Sequence, residues 1–432
     1  MLALQDPHAE SRPDLAAREP VVWVINQYAL PAEAAGITRH AMFAAKLSQA
    51  GWRPFIFTSA AHYWNLSEPA AARVSMETSA GATFVRLRTA THVTNGVRRV
   101  LSMVGFAIKV LQVGIRRPAG VREPDVIVGS SPHPFAALSA LALSRRYRVP
   151  FVLEVRDLWP DSLIDLMGFG PRHPLIVVLR AIERHLYASA NAIVGLLPGT
   201  ADHVRTVSSR APEVTYIPNG ADLGRLPMPR PAESSRAFTV MYAGAHGVAN
   251  NLDNLLRAAA LVQTAESSLT PSQQTRFLLV GDGKNKAALM ALAAELGLSN
   301  TEFRPAVPKA AVHGTLQSAD VLALPVPDKA IYRHGISPNK LFDYFAAGRP
   351  VVIALHSEHD PVRAAGAGVT VQPDQPEAMA DAILKLRALD PADRTAMGMS
   401  GRDFVAANHN IDHLALSLEA VLARVMSARQ HQ

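Results

Sequence analysis

The sequence predicts an α/β protein made of two doubly wound halves that face each other across a cleft. Three observations predict it. Near-continuous apolar, β-branched runs alternate with helical stretches, which argues for parallel sheets covered on both faces. The alternation breaks once, at the Pro- and Ser-rich "LGRLPMPRPAESSRA" (223–237), and then restarts. The 432 residues exceed one ordinary core and suit two of roughly 200 residues each.

The opening "MLALQDPHAESRPDLAAREP" mixes charges and prolines. It has no basic run ahead of an apolar core, so it reads as a disordered tail over 1–19 and not as a signal peptide. The first half, 20–232, starts with a strand at "VVWVINQY", followed after a loop by the helix "TRHAMFAAKLSQAG". Strands follow at "PFIFTS", "ATFVRL", "DVIVGSS", "FVLEVRD" and "NAIVGLL", with helices between the later ones. The second half, 233–410, repeats the pattern: "FTVMYAGAHG" and a helix from Leu252, then "FLLVGDG" and a helix from Lys286. "TEFRPAV", "ADVLALPV", "PVVIALH" and "GVTVQP" supply its remaining strands. Residues 411–432 read as a final helix able to return to the first half. In such sheets ligands sit beyond the carboxyl ends of the strands, so two edges define one cleft.

Residues 98–117, "RRVLSMVGFAIKVLQVGIRR", depart from this pattern. The apolar centre holds Lys109 and is shorter than the ~20 residues that span a bilayer. Arg98 and Arg99 stand at one end, Arg116 and Arg117 at the other. The stretch suits a helix on an anionic membrane surface or an apolar helix packed on the sheet.

Cysteine is absent and 49% of residues are apolar. That excludes disulfides, thiolate metal sites and Cys nucleophiles, and fits a reducing cytoplasm. The net charge of +7 implies an anionic partner. No basic run with interleaved aromatics points to nucleic acid. Acidic residues do not cluster and histidines are dispersed, so no metal site is expected.

In the second half, Gly244 and Gly247 of "YAGAHG" join a strand to a helix and let backbone N–H groups approach an anion. "VGDGKNK" repeats the device with Gly281, Asp282 and Lys286. "HGISPNKLFDYFAAGRP" starts with a loop containing Gly335 and Ser337. Pro338 suits a first helical turn, and Asn339 and Lys340 follow it. The helix N-terminus and Lys340 can receive a diphosphate. Asp343 either accepts hydrogen bonds from a ribose diol or is a surface charge.

On the acceptor side of the cleft, "ALPAEAAGITRH" brings Gly36 and Thr38 to the edge, with His40 free to cap, pack or touch substrate. "EVRDLWPD" gathers Glu154, Arg156 and Asp157 at a strand end, as a site or as an ion-pair network. "SSPHP" adds His133.

These motifs, in this order, resemble the family 4 retaining glycosyltransferases of GT-B fold, with two Rossmann-like domains. "GISPNKLFDYFAAGRPVV" and "EVRDLWPDSLIDLMG" look like the fucosamine-transferase-like branch of O-antigen and capsule synthesis. The resemblance implies hexosyl or N-acetylhexosaminyl transfer with retention, from a nucleotide-diphosphate sugar, commonly UDP-linked. It also implies a lipid-linked or polysaccharide acceptor at the inner membrane face. Neither a cofactor nor a metal is expected. Asp157, Arg156 and Lys340 are the candidate catalytic residues.

Two departures stand out. The wider family carries two glutamates in the "GISPNK" region; Asp343 matches the second and Gly335 replaces the first. The wider family also places Arg and Lys after the first strand of the donor half, where this chain reads "AGAHGVANN". The missing cations are expected from Lys340, Arg333, Lys284 or Lys286. A sugar-nucleotide 2-epimerase and a non-catalytic assembly subunit are the rival readings.

Overall fold

The computed structural model describes residues 18–34, 36, 38–60, 73–89, 97–131, 133–229 and 237–430. The tail at 1–17, positions 35 and 37 of the small-residue loop, and 230–236 of the Pro- and Ser-rich break lie outside them.

The first half runs β1 (Val21–Ile25), α1 (Arg39–Gln49), β2 (Arg53–Ser59), β3 (Val74–Ser79), β4 (Ala82–Leu87), α2 (Val97–Arg116) and β5 (Val126–Ser130). It continues through α3 (Pro134–Tyr147), β6 (Phe151–Val155), α4 (Asp161–Met167), α5 (Pro174–Ser189), β7 (Ala192–Gly195), α6 (Thr200–Val207) and β8 (Val214–Tyr216). The strands form one sheet in the order β3-β4-β2-β1-β5-β6-β7-β8. Every pair is parallel except β3 with β4. Side chains of β1 alternate between two cores. Val21, Trp23 and Ile25 join Phe106 and Val110 of α2 and the apolar face of α3. Val22 and Val24 join Phe43 and Leu47 of α1.

The second half runs β9 (Thr239–Ala243), α7 (Leu252–Ala265), β10 (Arg276–Val280), α8 (Lys286–Glu295), β11 (Thr301–Arg304), α9 (Lys309–Gln317) and β12 (Val321–Pro325). Then come α10 (Asn339–Ala346), β13 (Val351–Ala354), α11 (Pro361–Ala365), β14 (Gly368–Val371), α12 (Pro376–Ala388), α13 (Pro391–Asn408) and α14 (Ile411–Gln430). Its six strands lie in the order β11-β10-β9-β12-β13-β14, all parallel. The protein is thus two doubly wound α/β units. Strands β3 and β8 were not expected from sequence. β3 is an antiparallel edge strand of mixed polarity, "VSMETS", and β8 is only three residues long, so neither carries the apolar run that marks a buried parallel strand.

The chain crosses between the halves twice at one place. Ala221 bridges Asn410, and the Ala221 N–H donates to the His409 carbonyl at 3.0 Å. The His409 ring stacks on Phe342 of α10 at 4.3 Å. Beyond it, Ile411, Leu414 and Leu422 of α14 pack in the core that holds Val22 and Phe43. A 3-10 turn, Ala330–His334, reaches back from the second half. Ile331 enters the first-half core, and the Gly199 N–H donates to the His334 carbonyl at 2.9 Å.

The basic-flanked stretch is the helix α2. Met103, Phe106 and Val110 are buried, while Leu101, Ile108 and Ile115 are 62%, 49% and 54% exposed. The expectation of a helix packed on the sheet is met on one face, and the opposite apolar stripe is open. Among the described residues no helix is long and apolar enough to cross a membrane.

Candidate active site

The cleft wall of the second half is built around Lys340. It lies in the first turn of α10, and its ammonium reaches across to the end of β9 and the turn that follows it. There it donates to the Tyr242 hydroxyl at 2.7 Å and to Asn250 Oδ1 at 2.5 Å, and sits 4.8 Å from the Tyr242 ring centroid. No carboxylate pairs with it among the described residues. Burial pulls its pKa down to about 8. Gly244 has φ +156°, and a Cβ there would stand 3.1 Å from the Lys340 nitrogen, so glycine is what lets the lysine lie over this turn. Lys340 therefore brings a cation into the segment "AGAHGVANN" that carries none of its own.

Asp343 is one turn further along α10. Its carboxylate accepts no hydrogen bond among the described residues, and burial lifts it to about 6, with Lys309 opposing. The N-terminus of α10 starts at Asn339, with Pro338 as the N-cap residue and no side-chain cap. Its leading N–H groups thus lack the side-chain acceptor that commonly serves a helix start.

Other donor-side candidates are tied up within the protein. The Lys286 ammonium donates to the Gly281 carbonyl, to Asp282 at 2.8 Å and to the Arg304 carbonyl. Asp282 also accepts from the Ala306 N–H, and the Lys286 hydrogen bond leads in holding its carboxyl down. Ser337 accepts from the Asn219 N–H at 3.0 Å through Oγ and from Asn219 Nδ2 through its carbonyl, which joins the two halves. Gly247 has an extended conformation at the start of a 3-10 turn that any residue could adopt. Gly335 has φ +93°, and a Cβ there would meet Pro198 Cδ of the first half at 2.7 Å. No side chain, and so no carboxylate, fits at this junction.

On the first-half wall, Glu154 is 5% exposed and fully engaged. It accepts from Arg39 Nε at 2.9 Å, from His40 Nε2 at 2.7 Å and from Ser130 Oγ at 2.5 Å. Burial would push this carboxyl up, but His40 and Arg39 hold it well below its ordinary value. Burial lowers the His40 imidazole, with Glu154 opposing, and its Nε2–H faces the carboxylate. Burial also lowers Arg39 to about 10, which leaves it charged; it donates onward to the Ile217 and Pro218 carbonyls. Glu154 and His40, expected on the acceptor side, thus form a buried network bracing the segment that crosses between the halves.

Asp157 and Arg156 follow at the end of β6. Asp157 is exposed, yet desolvation of its carboxyl in the cleft raises it against the pull of Arg156 and Arg99. Tyr332 of the second half is within electrostatic reach of it. A terminal nitrogen of Arg156 is buried without a partner. His133 caps α3, its Nδ1 accepting from the Ala136 N–H at 3.3 Å. Nε2 then carries the proton, and it is buried without an acceptor. Burial, then Arg99, lowers this imidazole to about 3, so it is a neutral donor. Gly36 is exposed on the loop before α1. Thr38 Oγ1 accepts from Lys309 of α9 at 2.9 Å, and Lys309 also donates to the Ala32 carbonyl.

Sequence reading missed Lys309, Asn219 and the cleft position of Arg99. Lys309 opens an ordinary helix and Arg99 sits in an apolar, Arg-flanked run, so neither carried a local signal. Among the described residues no group of His, Cys, Asp or Glu is arranged to hold a metal ion.

Two Rossmann-like units with a cleft between their strand ends define the GT-B architecture of nucleotide-sugar glycosyltransferases. Residues 35–220 match the family described as Glycosyl transferase 4-like domain, and residues 237–388 match Glycosyl transferases group 1. The two matches take in most of both halves, and the chain belongs to the group 1, family 4-like glycosyltransferases. It is 23% identical over 277 residues to the putative colanic acid biosynthesis glycosyl transferase WcaI of Escherichia coli, a match spanning 60% of this chain and 66% of that protein, just under two thirds of its length. A sucrose-phosphate synthase from Thermosynechococcus elongatus superposes with a TM-score of 0.74 at 18% identity, covering 95% of this chain and all of that one. Anabaena Alr3699/HepE, in complex with UDP and glucose, superposes with a TM-score of 0.61 at 13% identity, covering 94% and 100%. These structures are alike in fold.

Proposed function

We propose that this glycosyltransferase moves a hexosyl or N-acetylhexosaminyl group, with retention, from a UDP-sugar to a lipid-linked or polysaccharide acceptor. The setting is cell-surface polysaccharide synthesis, in the fucosamine-transferase-like manner, with the enzyme peripheral at the inner face of the cell membrane. The observation that carries the donor half of this reading is Lys340, a half-buried cation with no carboxylate, next to an uncapped helix start. A buried charge without a counterion is unfavourable unless a ligand supplies one, and a diphosphate does. Asp343, short of donors, suits the ribose diol. The UDP and glucose bound by Anabaena Alr3699/HepE support a UDP-linked donor, and the likeness to WcaI supports the polysaccharide role.

In the reaction the bond from the sugar anomeric carbon to the leaving phosphate oxygen breaks. The acceptor oxygen bonds to that carbon on the same face, and its proton passes to the departing phosphate oxygen. Lys340 and the α10 N-terminus stabilise the charge that develops on the diphosphate. Asp157 and Arg156 lie where the acceptor enters. No metal or other cofactor takes part in this scheme.

The test is UDP release with membrane-derived lipid acceptors, in the presence and absence of EDTA. Lys340→Ala and Asp157→Asn should each lose transfer, while EDTA leaves it intact. Full activity in both variants would sink the site assignment. Conversion of the donor alone into an epimerised sugar nucleotide would instead point to an epimerase.

A further inference from the structure

The membrane-facing element expected from sequence was a single basic-flanked stretch. The structure shows a whole layer. Helices α2, α3 and α5 lie side by side on one face of the first sheet, with α3 between the other two. Together they carry eight Lys or Arg, four on α2 and two each on α3 and α5, against one acidic residue, Glu183. That excess is as large as the net +7 of the entire chain, so the remainder is close to balanced. Glu183 is itself buried and hydrogen-bonded to His203 at 2.7 Å, so it does not offset the outer surface. Arg180 of this layer pairs with Asp161 at 2.8 Å, as Lys46 does with Asp412 on the opposite face, and the other arginines of α3 and α5 have no carboxylate partner among the described residues.

Apolar exposure is concentrated on the same layer. Of the twelve large apolar side chains exposed among the described residues, five lie on α2 and α5: Leu101, Ile108, Ile115, Val177 and Val178. The first three recur at a heptad interval, so they form one stripe along α2, about 21 Å long at 1.5 Å per residue. A single exposed leucine is ordinary, but an apolar stripe flanked by arginines is the pattern of an interfacial helix.

We infer that the outer surface of α2, α3 and α5 docks flat on an anionic bilayer, with Leu101, Ile108 and Ile115 inserted at the interface and the arginines on lipid phosphates. The helix runs antiparallel to the strands it connects, so its N-terminal end lies at the cleft. Arg99, in that first turn, is within electrostatic reach of His133 and Asp157, and helical spacing puts it on the side away from the stripe. Docked this way, the acceptor side of the cleft opens at the lipid surface, and a lipid-linked phosphate meets Arg99 without its chain leaving the bilayer. Only this last statement rests on the transferase reading.

The test is flotation of the full chain with phosphatidylethanolamine vesicles containing phosphatidylglycerol, against neutral phosphatidylcholine vesicles. The wild type should bind the anionic vesicles and release as salt rises. Leu101→Glu/Ile108→Glu/Ile115→Glu should weaken binding at least tenfold with UDP affinity unchanged, which also reports that the variant folds. Arg145→Glu/Arg146→Glu should weaken it severalfold, and Leu416→Glu, an exposed apolar position on α14, should not. Because the chain has no cysteine, a bimane label on Ile108→Cys should shift blue on vesicles, and one on Leu416→Cys should not. The inference falls if the wild type ignores anionic vesicles, or if the stripe variant still binds them. It falls equally if the stripe variant only turns a dimer into a monomer, which would make the stripe a contact between copies. Vesicle binding without any UDP binding would overturn the transferase reading and leave this one standing.

Discussion

Glu154 and Asp343 are both carboxylates at the cleft, the first buried and the second half-buried, and they differ in company. Glu154 accepts three hydrogen bonds, two of them from Arg39 and His40, and is held well below its ordinary pKa. The Asp343 carboxylate accepts none among the described residues and is lifted to about 6. Lys340 and Arg39 repeat the contrast: Arg39 has a carboxylate and backbone carbonyls, whereas among the described residues Lys340 has two neutral oxygens. A folded chain satisfies the buried polar groups it uses as structure. Groups it leaves without a counter-charge in a cleft are candidates for a ligand. By this measure the first-half network is a brace, and the second-half wall is where we propose that the donor binds.

The largest effect should come from breaking the brace. Glu154→Ala leaves Arg39 buried without its anion, which costs about 3–5 kcal/mol, a drop in Tm on the order of 10 °C. Thermal unfolding checks it, and a drop of a degree or two would mean the network is dispensable.

Gly335→Ala comes next. A side chain at φ +93° and against Pro198 strains the junction by about 1–3 kcal/mol. Gly335→Glu, which restores the residue type of the wider family, should likewise lower stability and not raise transfer. A Gly335→Glu protein with enhanced turnover would show that the junction opens to admit a carboxylate.

The third effect is a pH dependence. Asp343 has its folded-state value, about 6, above its unfolded one, about 3.9. Its contribution to stability is therefore fully present below about pH 4 and lost as pH rises through about 6. Donor affinity moves the other way, because the ribose diol needs the ionised carboxylate. UDP binding should weaken as pH falls through about 6, and also as pH rises past about 8, where Lys340 loses its proton. Asp343→Asn should abolish the acid limb alone in a titration of Kd against pH.

The smallest effect belongs to Lys309. Lys309→Ala removes hydrogen bonds to Ala32 and Thr38 across the cleft, about 1 kcal/mol. Because Lys309 also pulls the Asp343 carboxyl down, its loss should move the acid limb to higher pH. An unmoved limb would break the link between the two residues.

Much of this was legible in the sequence, and what was not has a common cause. Apolar runs such as "VVWVI" and "FLLV" announce buried parallel strands, and "PNKLFD" announces a helix with a cation and a carboxylate. The final helix was legible from its pattern, but its packing on α1 was not. Nothing local says that Lys340 ends up beside Tyr242 and Asn250, contacts separated by 98 and 90 residues, or that His40 and Glu154 meet across 114. The same holds for Lys286, which resembles Lys340 in sequence, both being lysines at a helix start near a glycine turn. Only the fold shows that Lys286 already has Asp282 and two carbonyls while Lys340 has no anion among the described residues.

That pair offers the most direct test of the central claim, that the cation without a carboxylate is the diphosphate site. Isothermal titration of UDP at pH 7 into the wild type, Lys340→Ala and Lys286→Ala would decide it. Loss of a charge-assisted contact worth about 1.5–3 kcal/mol should weaken UDP binding roughly ten- to a hundredfold in Lys340→Ala, and Lys286→Ala should stay within about threefold of the wild type. Equal affinities for Lys340→Ala and the wild type, or the larger loss in Lys286→Ala, would contradict the account.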